Sequence, residues 1–142
     1  MRNLLGIYAV ILVFSPFTAA NAQSDGKELL ESCREVIKAS DKTGVEPDYV
    51  SAMQCVSYIR GIADGHDATT YLQTKKRTGR AGWDSKSEAT RRSLAIFCAP
   101  QAVQMEQKVR IVVRYLGQHP KQLQEQPATL VLDALTEAFP CK

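Results

Sequence analysis

Four cysteines, Cys33, Cys55, Cys98 and Cys141, and two histidines, His66 and His119, are the residues of this chain best equipped for chemistry. A thiol beside an imidazole would suit acyl transfer, with the thiolate as nucleophile and the histidine as its base. An even set of cysteines in an exported chain points instead to a disulfide framework. His66 follows a glycine and His119 precedes Pro120, so each reads as a helix-end or turn residue rather than a base or metal ligand. Asp64 and Asp67 are the one close carboxylate pair near a histidine, and a solvated helix terminus accounts for them. No CxxC, HxxxH, GxSxG or phosphate-cradling glycine loop occurs. Neither a catalytic site, a metal nor a cofactor is expected, and the chain does not read as an enzyme.

Export decides the state of the thiols. Arg2 supplies a positive start, residues 4–17 a short apolar stretch, and Ala20, Asn21 and Ala22 a small-x-small cleavage pattern. Ser15 and Pro16 interrupt the run, which falls short of the roughly 20 apolar residues a membrane helix needs. Residues 1–22 are therefore read as a signal peptide and residues 23–142 as a single helical domain without a membrane anchor, placed in the periplasm. The mature length is 142 − 22 = 120 residues, room for one small domain. Removing Arg2 from 18 basic residues leaves 17 against 15 acidic ones, a net +2 that does not argue for a polyanionic partner.

Helical periodicity runs through the mature chain. Leu29, Leu30, Cys33, Val36 and Ile37 define a helix over 26–39, broken at Lys42, Thr43 and Gly44. Pro47 is expected in the first turn of a second helix, whose face of Tyr49, Ala52, Met53, Val56, Ile59, Ile62 and Ala63 extends to about His66. Gly61 and Gly65 either let a neighbouring helix approach closely or mark a fraying end. Residues 67–93 are the least regular: Thr69, Thr70, Tyr71 and Leu72 offer an extension of the second helix, 75–80 reads as a basic loop, and Asp84 or Ser85 as the cap of a third helix ending near Phe97. Met105, Val109, Val112, Val113 and Leu116 form the next stripe, stopped at His119 and Pro120. Pro127 opens the last helix, with Ala128, Val131, Leu132, Leu135, Ala138 and Phe139 as its buried side. The expected fold is all-α, a small bundle of four to five helices.

Cysteine positions mirror one another about two of these breaks. Gly44 is the midpoint of Cys33 and Cys55, and the midpoint of Cys98 and Cys141 falls between His119 and Pro120. Residues equidistant from the turn of an antiparallel helical hairpin face each other, so Cys33–Cys55 with Cys98–Cys141 would clip two hairpins. Four cysteines permit three connectivities, and sequence alone leaves the choice open.

The remaining site-like feature is the cationic run of Lys75, Lys76, Arg77 and Arg80 followed by Trp83. Arginine and tryptophan concentrate binding energy in few contacts, so these five residues are the candidate protein-binding segment. The plainer alternative is a solvated loop with Trp83 in the core. Nucleic acid is not an expected partner of an exported chain.

An ordered set of short motifs resembles the Rap/Tai family of immunity proteins. It comprises Cys33; Tyr58, Ile59, Arg60 and Gly61 with Asp64; Phe97, Cys98, Ala99 and Pro100; Gln107; residues 112–116; His119 and Pro120; and Ala134, Leu135 and residues 138–141. Residues 67–93 lie outside the likeness. The resemblance implies a helical periplasmic protein, often a homodimer, that occludes the cleft of a peptidoglycan amidase delivered by type VI secretion. The alternatives are a small disulfide-bonded acid-stress chaperone of the HdeA type and an orphan envelope protein of the same fold.

Overall fold

A computed structural model describes residues 25–42, 44–80 and 84–141; the expected signal peptide, Thr43 and Trp83 lie outside them. Five helices follow in order, α1 (Gly26–Asp41), α2 (Tyr49–Thr78), α3 (Glu88–Leu94), α4 (Met105–Gln118) and α5 (Pro127–Ala138). Single 3-10 turns at Ser85–Ser87 and Pro120–Gln122 precede α3 and follow α4, and no strand occurs among the described residues.

α1 packs against α2 and α4, α4 against α5, and α2 carries α3 alongside its C-terminal half. Leu29, Cys33, Cys55, Ile59, Val109, Val112, Leu116, Leu130, Val131 and Leu135 are sealed from solvent where the helices meet. Burial of these side chains, at about 1.5–3 kcal/mol for each large aliphatic one, is the main force holding the bundle. Arg110 on α4 adds a surface tie, reaching Asp41 at the end of α1 and Glu106 one turn back at 2.9 Å.

Both expected disulfides are present and no described cysteine is free. Cys33–Cys55 joins α1 to α2 with its Cα atoms 5.1 Å apart. Cys98–Cys141 closes the open end of the α4–α5 hairpin with its Cα atoms 5.0 Å apart. The backbone supports the second closure, because the Cys98 amide donates to the Phe139 carbonyl at 2.8 Å.

Several local expectations are corrected. Pro47 is not inside α2: Asp48 is the N-cap, its carboxylate accepting from the amides of Val50 and Ser51, so the proline stands before the helix. α2 runs past His66 and through residues 69–72, and continues beyond that extension to Thr78, 30 residues in all, so residues 75–78 are helix rather than loop. Its buried stripe passes from Cys55, Ile59 and Ala63 to Thr70 and Thr74. Thr74 is tolerated in the interior because its hydroxyl donates to the Thr70 carbonyl at 2.7 Å. A Cβ placed on Gly61 or Gly65 would meet nothing within 4 Å, so neither glycine admits a neighbouring helix. Tyr49 and Met53 are exposed rather than part of the α2 core face. Asp84 caps the 3-10 turn, and α3 stops at Leu94, before the buried Phe97. On α5, Leu130 and Ala134 join Val131 and Leu135 in the core, so the buried seam is not the expected one through Ala128, Leu132 and Ala138.

Candidate partner-binding surface

The two ends of α2 present different surfaces. At the C-terminal end, Lys75, Lys76 and Arg77 stand on the last helical turn rather than in a loop. That turn holds because Gly79 adopts the left-handed conformation at φ 66° and its amide donates to the Lys75 carbonyl at 2.9 Å. Cations suit a helix C-terminus, where unsatisfied carbonyls concentrate negative potential. All three are exposed, and no described carboxylate lies within ion-pair range of any of them. Arg80, just past the turn, is held 3.7 Å from Asp84. The structure thus gathers Lys75, Lys76, Arg77 and Arg80 at one helix end, while Trp83 lies outside the described residues.

Beneath this end, polar contacts seat α3. Thr78 donates to the Thr74 carbonyl at 2.9 Å, and its hydroxyl lies 3.4 Å from that of the buried Ser87. Glu88 accepts from Arg91 and from Arg92, the latter at 2.7 Å, and these hydrogen bonds hold its carboxyl below the usual range. α3 therefore adds two arginines to the cationic side, each already matched to Glu88. A cleft of about 670 Å³ opens beside it, lined by Asp67, Arg91, Arg92 and Lys108 and floored by Phe97, Cys98 and Pro100.

At the opposite end of α2, Val45, Tyr49, Val50 and Met53 are exposed, and Met53 is 70% exposed. Tyr49 and Met53 border a shallow apolar groove of about 430 Å³ between α1 and α2, lined also by Val36, Ala52, Val56 and Arg60 among others. Sequence reasoning placed Tyr49 and Met53 in the core because they share its helical spacing. Period alone does not say which stripe of a helix meets a neighbour.

Neither histidine has a free thiol to activate, since the four cysteines are bridged. His119 closes the end of α4, its Nδ1 2.8 Å from the Tyr115 carbonyl and its ring stacked on Tyr115. His66 is not at a helix end; it sits in the middle of α2 with its side chain 6% exposed. Asp67 contacts it and Asp64 is exposed, so the pair is neither a helix terminus nor a joint site. Among the described residues, no cluster of three or more His, Cys, Asp or Glu is disposed to hold a metal. No helix among them is long and apolar enough to cross a membrane.

Neither a curated protein nor a solved structure matches the chain. The family model describing Rap1a immunity proteins matches residues 25–141, which span all five helices and both disulfides. The stapled five-helix domain and that match agree, and the chain belongs to the Rap1a immunity protein family.

Proposed function

We propose that this protein is exported to the periplasm, where it binds a peptidoglycan amidase delivered by type VI secretion and covers that enzyme's catalytic cleft. Membership of an immunity-protein family is the observation that carries this reading, since it implies a non-enzymatic inhibitor whose partner is a protein effector. Blocking a cleft requires a rigid body with a presented tip, because ordering a flexible segment on binding costs affinity. The helix end bearing Lys75, Lys76, Arg77 and Arg80, seated on α3, is the tip this reading uses. Its unmatched cations favour an acidic rim on the enzyme and raise the rate of encounter. Trp83 belongs to the same segment in sequence and is included in the proposal.

A second copy of the chain fits the other end of α2. Tyr49, Met53, Val56 and Arg60 are spaced four, three and four residues apart, the seam of two packed helices. A two-fold axis midway between Met53 and Val56 sets Met53 of one copy on Val56 of the other. The same axis brings Tyr49 against the second copy's Arg60, a cation–π pair. The homodimer so formed leaves both cationic tips facing outward.

Titration calorimetry with a peptidoglycan amidase of the type VI effector class tests the first reading. Lys75, Lys76, Arg77 and Arg80 changed together to serine are expected to weaken binding about a hundredfold or more and to flatten its salt dependence, within the range that hot spots carry. Unchanged affinity removes the α2 tip as the contact, and an unaltered wild-type amidase activity at saturating protein discards the amidase as target. Sedimentation of Met53→Lys tests the dimer: a monomer is expected, and an unaltered oligomeric state refutes the α2 seam.

A further inference from the structure

His66 has a feature that neither the scaffold nor the cationic tip uses. Its Nε2 accepts the backbone amide of Ile96 at 3.0 Å, across 30 residues of sequence, while Nδ1 faces the Asp67 carboxylate at 3.1 Å. A backbone N–H can only donate, so Nε2 must be the unprotonated nitrogen and Nδ1–H must donate to Asp67. The ring also stacks on the buried Phe97, with centroids 4.0 Å apart. One imidazole thus holds the chain leaving α3 against the middle of α2 at Ile96, two residues ahead of the bridged Cys98. That segment walls two hollows. Leu94 and Ile96 line one of about 240 Å³ together with Ile62 and Leu132, and Phe97 and Cys98 floor the larger cleft on the other side.

We propose that His66 is a proton-operated latch on this segment. Taking up a proton at Nε2 converts the acceptor into a donor, so two N–H groups face each other and the Ile96 amide must turn away. The charged ring keeps its contact with Asp67 and its place over Phe97, where a cation on an aromatic face is favourable. Release therefore falls on Ile96, the exposed member of the segment, and remodels both hollows. The signal is the proton itself, taken up at Nε2, the protonation change that suits histidine to switching roles. The one charged group against the ring is Asp67, 3.1 Å from Nδ1, which favours the charged form. The other residues that share its hollow are uncharged: Ile62, Thr69 and Gln73 on α2, Leu94 on α3, Ile96 beyond it and Leu132 on α5. Glu88, Arg91, Arg92 and Lys108 line the neighbouring cleft with Asp67 and Phe97. The loss of the Ile96 bond follows at whatever pH the ring takes up its proton.

Nuclear magnetic resonance of the intact, uniformly ¹⁵N-labelled protein tests the latch. The imidazole ¹⁵N shifts above the titration should show an unprotonated Nε2, and a protonated one overturns the proposal. Hydrogen exchange at the Ile96 amide, corrected for its intrinsic pH dependence, should lose about twofold to tenfold of protection in step with His66 protonation, the range expected for losing one hydrogen bond at an exposed amide. Protection that stays flat through the His66 titration refutes the latch. His66→Gln, whose amide oxygen can accept but does not titrate, should abolish the step, and a step that survives in H66Q assigns it elsewhere. If H66Q does not fold, the two wild-type measurements decide.

Discussion

Removing the disulfides one at a time separates chain entropy from core packing. The bridges span 22 and 43 residues, for which loop closure in the unfolded chain is worth about 3.4 and about 4 kcal/mol at 25 °C. On that basis C98A/C141A should be the more costly pair. The fold adds an opposing contribution, because Cys33 and Cys55 are both 0% exposed within the α1–α2 seam. Each lost sulfur there leaves a gap worth about 1 kcal/mol, whereas Cys98 and Cys141 are only partly buried. C33A/C55A is therefore expected to lose about 5 kcal/mol and C98A/C141A about 4. The matched domain covers residues 25–141, or 141 − 25 + 1 = 117 residues, and unfolds with an entropy of about 0.25 kcal/mol/K. Losses of that size lower Tm by about 20 °C and about 16 °C, read from circular dichroism at 222 nm in melts run side by side. A larger drop for C98A/C141A would mean that loop length governs and that the buried position of Cys33 and Cys55 contributes nothing. Drops below about 4 °C for both would refute the stapled scaffold itself.

Three further outcomes follow from individual positions. Gly26 opens α1 where an added Cβ would lie 2.3 Å from the Leu130 Cδ1 and 3.2 Å from the Leu123 backbone, so Gly26→Ala should cost about 1–3 kcal/mol in urea denaturation. Gly61→Ala and Gly65→Ala face open space within a helix and should each stabilise by about 0.5–1 kcal/mol in the same assay. Glu35, Asp41, Asp48 and Glu88 are all held below their ordinary range, by hydrogen bonds chiefly from Lys38, Arg110, Ser51 and Arg91 respectively. Their contribution is full above the unfolded carboxylate range near pH 4 and fades as pH falls through the lowered folded values, so urea midpoints should hold from about pH 7 to 5 and decline below about pH 4. A decline beginning above pH 6 would point to another titrating group.

Sequence reasoning succeeded where one signal dominated. Mirror spacing of the cysteines about Gly44 and His119 pointed to both bridges, because an antiparallel hairpin has few ways to bring equidistant residues together. It failed along α2, where the apolar period lapses after Ala63 and buried threonines carry the stripe onward. A lysine-rich stretch ending in glycine then looks like a loop, although those cations are what a helix C-terminus favours.

The chain alone determined the helical class and the breaks at Gly44 and Pro120, which depend on local spacing and backbone preference, and it pointed to one of three thiol pairings that the folded hairpins then settled. Only the packed bundle decided which apolar side chains stay in solvent, that Lys75, Lys76 and Arg77 crown a helix, and that His66 grips an amide 30 residues away. Those outcomes depend on which stripe of each helix meets a neighbour, and that is set by the summed burial of all five helices rather than by any one segment.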